Sequence, residues 1–249
     1  MQLSSRAVST AVLAALVAVA GYLGDTSLGE LPLVAVVGVL ALAFAFGWPV
    51  LVNLPSRPGS TAVIALGGVG AVWAVHRTAG DPLLRHLPVV FAFAVLLAFV
   101  NELLRGGGRE RLVESVSGTV AGTLVAVAAA GWVATQRTVG GEGLVIAGAL
   151  ALAVGSAVAA LPLRSWAGAG ATTASALAAG ALAGLVLPGL DARAGVLLGL
   201  AVGVLVAALR QLFDRLPALD RFPATLAAIV LPVTVTGTLV YVAGRVLVG

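Results

Sequence analysis

The sequence predicts an all-α protein: a polytopic bundle of about nine transmembrane helices with short loops and no soluble domain. Three observations carry this. Apolar residues make up 60% of the 249 positions and charged residues only 10%, where a soluble domain has about 45–50% and 25%; the mean hydropathy is +1.12. A water-soluble core still needs a polar shell, so the solvent for most of this surface is lipid. Runs of about 20 residues nearly free of charge recur along the whole chain, the length that crosses a hydrocarbon layer of ~30 Å. Nine such runs use roughly 180 positions and leave about 70 for eight connections and two tails, too few for a separate domain.

The spans follow in order at 7–24, 31–52, 60–76, 86–104, 112–134, 143–162, 167–187, 193–213 and 222–247. The first begins after Arg6 and contains "VAVAG", which resembles a signal-peptidase site. A lone arginine is a weak basic region for a cleaved signal, so the first helix is expected to stay. The second is punctuated by Pro49, Pro55 and Pro58. It either ends near Gly47, with Trp48 in the interfacial aromatic belt, or continues kinked to Asn53. The third holds "GGVG", whose flanks are wrong for a nucleotide loop. In the fifth, Gly118 and Gly122 are four apart, as are Gly180 and Gly184 in the seventh. The eighth carries Gly195, Gly199 and Gly203 on one helical face. Lipid provides no hydrophobic drive between helices, so such small-residue faces let backbones approach; the triple repeat is expected to be a contact face. The ninth contains Pro232 and Gly237, which suggest a kink whose backbone carbonyls line a cavity. The hydroxyls of Thr172, Thr173, Ser175, Thr234, Thr236 and Thr238 are expected to bond to the preceding turn or a neighbouring helix.

Charge is gathered in two places. In "NELLRGGGRERLVESVSG", Glu102, Arg105, Arg109, Glu110, Arg111 and Glu114 fall within thirteen positions of a chain that has only 14 basic and 10 acidic residues. The three glycines allow a sharp reversal between the fourth and fifth spans. Glu102 and Glu114 are expected to be solvated at the membrane surface, within reach of the arginines, so that the loop largely neutralises itself. The second cluster is Arg210, Asp214, Arg215, Asp220 and Arg221. Glu102, Glu110, Glu114, Asp214 and Asp220 are read as loop ion-pairing partners. The six arginines Arg105, Arg109, Arg111, Arg210, Arg215 and Arg221 are read as contacts to anionic lipid headgroups or to a partner.

All the basic residues are arginine. With the N-terminus inside, nine arginines fall on the cytoplasmic side and five outside, which predicts an N-in, C-out protein of the bacterial plasma membrane. A net charge of +4, so dispersed, does not point to nucleic acid. There is no cysteine, so no disulfide or thiolate chemistry arises. His76 and His86 flank one loop without a carboxylate cluster, and no metal, cofactor or catalytic constellation is expected.

One resemblance remains. "LFDRLPALDRFPATLAAIVLPV" is similar to the C-terminal signature region of integral-membrane phosphatidate cytidylyltransferases, where a Pro-containing cytoplasmic loop ends in Leu-Asp-Arg before the last helix. Pro217 and Leu219-Asp220-Arg221 stand in the matching places, and "LVESVSGTVAG" looks like the family's mid-chain Ser-x-x-Gly segment. The family's Lys-Asp pair and His-Gly-Gly run are missing, and Pro223 stands where an acid is needed. The stretch "ALAVGSAVAALPLRSWAGAGATTAS", where metal and nucleotide ligands should fall, has no acid and no lysine. The resemblance therefore implies a member without its catalytic groups. The expected function is non-catalytic: a membrane scaffold or a lipid- or partner-binding protein, whose partners are lipids, another membrane protein or a second copy. A transporter or permease subunit for an uncharged or amphiphilic substrate is the alternative, and a lipid-modifying enzyme is third.

Overall fold

Lipid has no partner to offer a backbone N–H or C=O, so each crossing must satisfy its own backbone as a helix. The computed structural model describes residues 2–25, 28–105, 111–163, 165–213 and 221–247. Ten helices form there: α1 (Gln2–Tyr22), α2 (Leu31–Leu51), α3 (Arg57–Arg77), α4 (Leu87–Leu104), α5 (Leu112–Ala128), α6 (Ala130–Gln136), α7 (Gly141–Ala159), α8 (Ser165–Val186), α9 (Ala192–Phe213) and α10 (Phe222–Leu247). Among the described residues nine segments are long and apolar enough to cross a membrane, α5 and α6 together forming one of them.

One boundary resolves an alternative left open by the sequence, and another moves by three residues. Helix α2 continues through Pro49 to Leu51 and ends with Asn53 in the left-handed region at φ 52°, a conformation that asparagine tolerates. Trp48 therefore stands inside the helix, not in an interfacial belt. Its Nε1 donates to the Gly118 carbonyl on α5 at 2.8 Å, which is where an indole goes when its polar edge must be satisfied away from water. Helix α3 starts at Arg57, three residues early, because Pro58 suits a first turn whose N–H groups have no helical partner.

The fifth span is interrupted. Ala129 and Trp132 donate to carbonyls three residues back, Ala126 at 3.2 Å and Ala129 at 3.1 Å. The Ala128 carbonyl thus loses the Trp132 N–H and instead accepts from Thr238 Oγ1 of α10 at 3.0 Å. Trp132, fully buried, donates Nε1 to the Val233 carbonyl at 2.8 Å. The break sits where α6 meets α10 most closely: a methyl on Gly131 would stand 2.3 Å from the Gly237 oxygen.

Helix α10 occupies the middle, touching α1, α2, α5, α6, α7 and α9. On one side of it lie α2 to α5, and on the other α1, α7, α8 and α9. The glycine face of α9 is an internal contact with α8. A methyl on Gly195 would lie 2.2 Å from the Gly180 oxygen, on Gly199 2.6 Å from the Ala176 oxygen, and on Gly203 2.8 Å from the Thr173 Cα. Gly184 joins the same seam. Helix α4 is the outlier, with only 17% of its span buried against 56% for α10.

Candidate functional site

The first charge cluster sits where α3, α4 and α5 meet at the end of the bundle that carries the amino terminus. The face of α4 turned to its neighbours is Ala94, Ala98 and Glu102, one residue per turn. The two alanines let α4 approach α3 and α5, and the same register carries Glu102 inward. It is 4% exposed. The expectation that Glu102 is solvated does not hold; Glu114, largely exposed, does meet it. One Glu102 oxygen accepts from Ser115 Oγ of α5, and the other lies 3.2 Å from Arg105 Nη1. Arg105 thus turns its guanidinium back along its own helix.

A run of hydroxyls continues inward from this carboxylate. Thr119 Oγ1 is 2.8 Å from both Ser60 Oγ and the Ser115 carbonyl, and Thr123 Oγ1 donates to the Thr119 carbonyl at 2.9 Å. All four hydroxyl residues are buried. Beside them Ser56 Oγ donates to Asn101 Oδ1 at 3.3 Å, over Gly59, where a methyl would collide with the same oxygen. On the outer surface Arg111 pairs with Glu114. Both are exposed, so that pair contributes about 0–1 kcal/mol. Arg109 and Glu110 lie outside the described residues.

The second cluster opens on a cavity at the same end of the bundle. Arg6 of α1 and Arg210 of α9 line it together with Ser156 of α7 and Pro232 of α10, and it is open to the surface. Arg210 Nη2 donates to the Leu161 carbonyl at 3.2 Å, whereas Nη1 has no hydrogen-bond partner among the described residues. Ser156 is 2% exposed and its Oγ is likewise unpartnered among the described residues. Thr10 Oγ1 ties α1 to α10 at the Ile229 carbonyl, 2.9 Å away. Pro232 withholds the N–H that the Ala228 carbonyl would otherwise receive, and both residues form part of the wall, while α10 continues as one helix from Phe222 to Leu247. Asp214, Arg215 and Asp220 lie outside the described residues; Arg221 is exposed at the start of α10.

At the opposite end one constellation escaped the sequence reading. Arg137, just past α6, reaches the last turn of α3 and donates to the carbonyls of Val75 and His76 at 2.5 Å and of Thr78 at 2.8 Å. Glu30, before α2, stands 3.4 Å from Arg137 Nε and 3.0 Å from His76 Nδ1. A cation over the orphan carbonyls of a helix C-terminus complements the dipole there. Arg137 is thus consumed by structure, and Arg77 lies over the Trp73 ring at 5.5 Å. The only hint in the sequence was that each of these residues ends a span, and nothing in it says which ends meet. No protein-family model, curated protein or solved structure matches this chain.

Proposed function

We propose that this integral membrane protein is non-catalytic and binds anionic lipid headgroups at the end of the bundle that carries its amino terminus, in a bacterial plasma membrane with that end in the cytoplasm. The observation behind this reading is the placement of arginines at the amino-terminal end, beside a cleft between α1, α7, α9 and α10. There Arg210 keeps Nη1 unpartnered among the described residues, lining the same cleft as Arg6, and Arg221 stands exposed. Arginine near a helix end faces the phosphates of a bilayer, and each such contact contributes about 1 kcal/mol in an anionic leaflet. A channel through the centre finds less support, since the irregular backbone of α5, α6 and α10 is closed by Thr238 and Trp132.

The test is extraction of the protein with its surrounding lipid from membranes of phosphatidylcholine and phosphatidylglycerol, followed by lipid analysis. The co-extracted shell should be enriched in phosphatidylglycerol over the bulk membrane, and less so once Arg57, Arg105, Arg111 and Arg221 are all changed to glutamine. A shell with the bulk composition would refute headgroup binding.

A further inference from the structure

The cavity between α1, α7, α9 and α10 has features that general headgroup attraction does not require. Its polar side chains are few: the guanidiniums of Arg6 and Arg210 from different helices, and the buried hydroxyls of Thr10, which is bonded to the Ile229 carbonyl, and Ser156. Burying a hydroxyl without a partner costs about 1–3 kcal/mol, and Ser156 Oγ has none among the described residues. Arg210 Nη1 is in the same condition. Alanine at position 156 would remove that cost and serve the packing of α7 equally well. The two donors left unused among the described residues, Ser156 O–H and Arg210 N–H, are complementary to one acceptor-rich anion, and none of the described residues that line the cavity is a carboxylate.

The rest of the wall selects the kind of anion. Val206, Leu209 and Phe213 of α9 and Ala159 of α7 are apolar, so a small hydrophilic anion would leave them against water. The space is a cleft open to the surface. It lies at the end of the helices, where a headgroup would stand, with a wall leading inward along α9.

We infer that this cavity is a stoichiometric site for one anionic phospholipid, its phosphate received by Ser156 Oγ and by the guanidiniums of Arg210 and Arg6, with part of one acyl chain against Val206, Leu209 and Phe213. The inference rests on the headgroup reading above but differs from it in number and position: one retained molecule, in one cleft, dependent on Ser156.

Native mass spectrometry of the full chain, delipidated and then titrated with dioleoyl phosphatidylglycerol, tests it. One phospholipid should stay bound under activation that strips the others. Arg210→Gln and Ser156→Leu, which removes the donor and fills the space, should each lower its occupancy about tenfold, while Arg85→Gln at the opposite end should not. Ser156→Ala guards against misfolding by the larger side chain and should lower occupancy in the same direction. Dioleoylglycerol, with the chains and no phosphate, and glycerol phosphate, with the phosphate and no chains, should both bind more weakly than the intact lipid. Equal binding of dioleoylglycerol would overturn the role of the arginines, and equal binding of glycerol phosphate that of the apolar wall. If the retained lipid is unaffected by the cleft variants and lost from the protein changed at Arg57, Arg105, Arg111 and Arg221, the cleft assignment falls while headgroup binding stands. If annular enrichment fails and the cleft variants still release one lipid, the reverse holds.

Discussion

Ser115 Oγ of α5 donates to the carboxylate of Glu102 on α4, within a contact that leaves Glu102 4% exposed. This joins the least buried helix of the bundle to its neighbours at a point where the alternative acceptor would be lipid. Glu102→Ala leaves the Ser115 hydroxyl without its acceptor and Arg105 without its carboxylate. It should destabilise the protein by about 2–3 kcal/mol, read as a lower thermal midpoint in mild detergent. Glu102→Gln, which keeps an acceptor for Ser115, should cost less. If alanine is as stable as the parent, Glu102 does not anchor α4.

The α8–α9 seam makes a sharper prediction, because the obstacle there is backbone. A methyl on Gly195 meets the Gly180 oxygen at 2.2 Å, so even Gly195→Ala should cost about 1–3 kcal/mol. Gly38→Ala, where the added methyl meets nothing within 4 Å, is the matched control. Equal thermal midpoints for the two variants would contradict the close approach.

Arg137 should behave as a structural arginine. Neither Arg137→Lys nor Arg137→Met can reach the carbonyls of Val75, His76 and Thr78 with a planar fork. Both should lower stability by about 2–3 kcal/mol and leave phospholipid retention unchanged. A lysine variant with parental stability would show that one point charge suffices.

Trp132→Phe keeps the ring and removes the N–H that reaches the Val233 carbonyl. The expected loss is about 1 kcal/mol, and a double-mutant cycle with Thr238→Val asks whether the two ties between the fifth span and α10 are coupled. A neutral Trp132→Phe would place the contribution of this residue in its packing alone.

For orientation, the absence of native cysteine permits single-site labelling. Val139→Cys, at a position 96% exposed, should react with an impermeant maleimide from outside the cell. Arg221→Cys should react only after the membrane is opened. Labelling of both from one side would reverse the count of crossings between them.

The spans were legible because crossing lipid demands about 20 apolar residues in a row, and a charge-free run shows its length in one dimension. The packing face of α9 was legible for a related reason: Gly195, Gly199 and Gly203 repeat at the helical period, and a small residue announces close approach. What the sequence hid was which helix each face meets. Trp48 and Gly118 are 70 positions apart, and Trp132 and Val233 are 101 apart; no local pattern links them. The break at Ala129 had no marker either, neither proline nor charge, since it arises from the approach of Gly131 to Gly237. Arg210 was recognisable as a candidate contact from its place in a charge cluster. Its company in the cavity was not, because Arg6 and Ser156 come from helices far away along the chain. Glu102 was misplaced because it was read as the end of a helix, when its register with Ala94 and Ala98 already set it on the inner face.

The position of α10 has a consequence for how the bundle is made. The helix that touches six others leaves the ribosome after all of them, so the earlier spans are inserted around a groove still waiting for its occupant. Until Phe222–Leu247 arrives, the indole N–H of Trp132 lacks its acceptor, and the backbone around Gly47, which lies against Pro223 and Ala227 in the finished protein, faces lipid. Contacts that close the bundle through α10 thus pair residues far apart along the chain, and they form only once this span is in place.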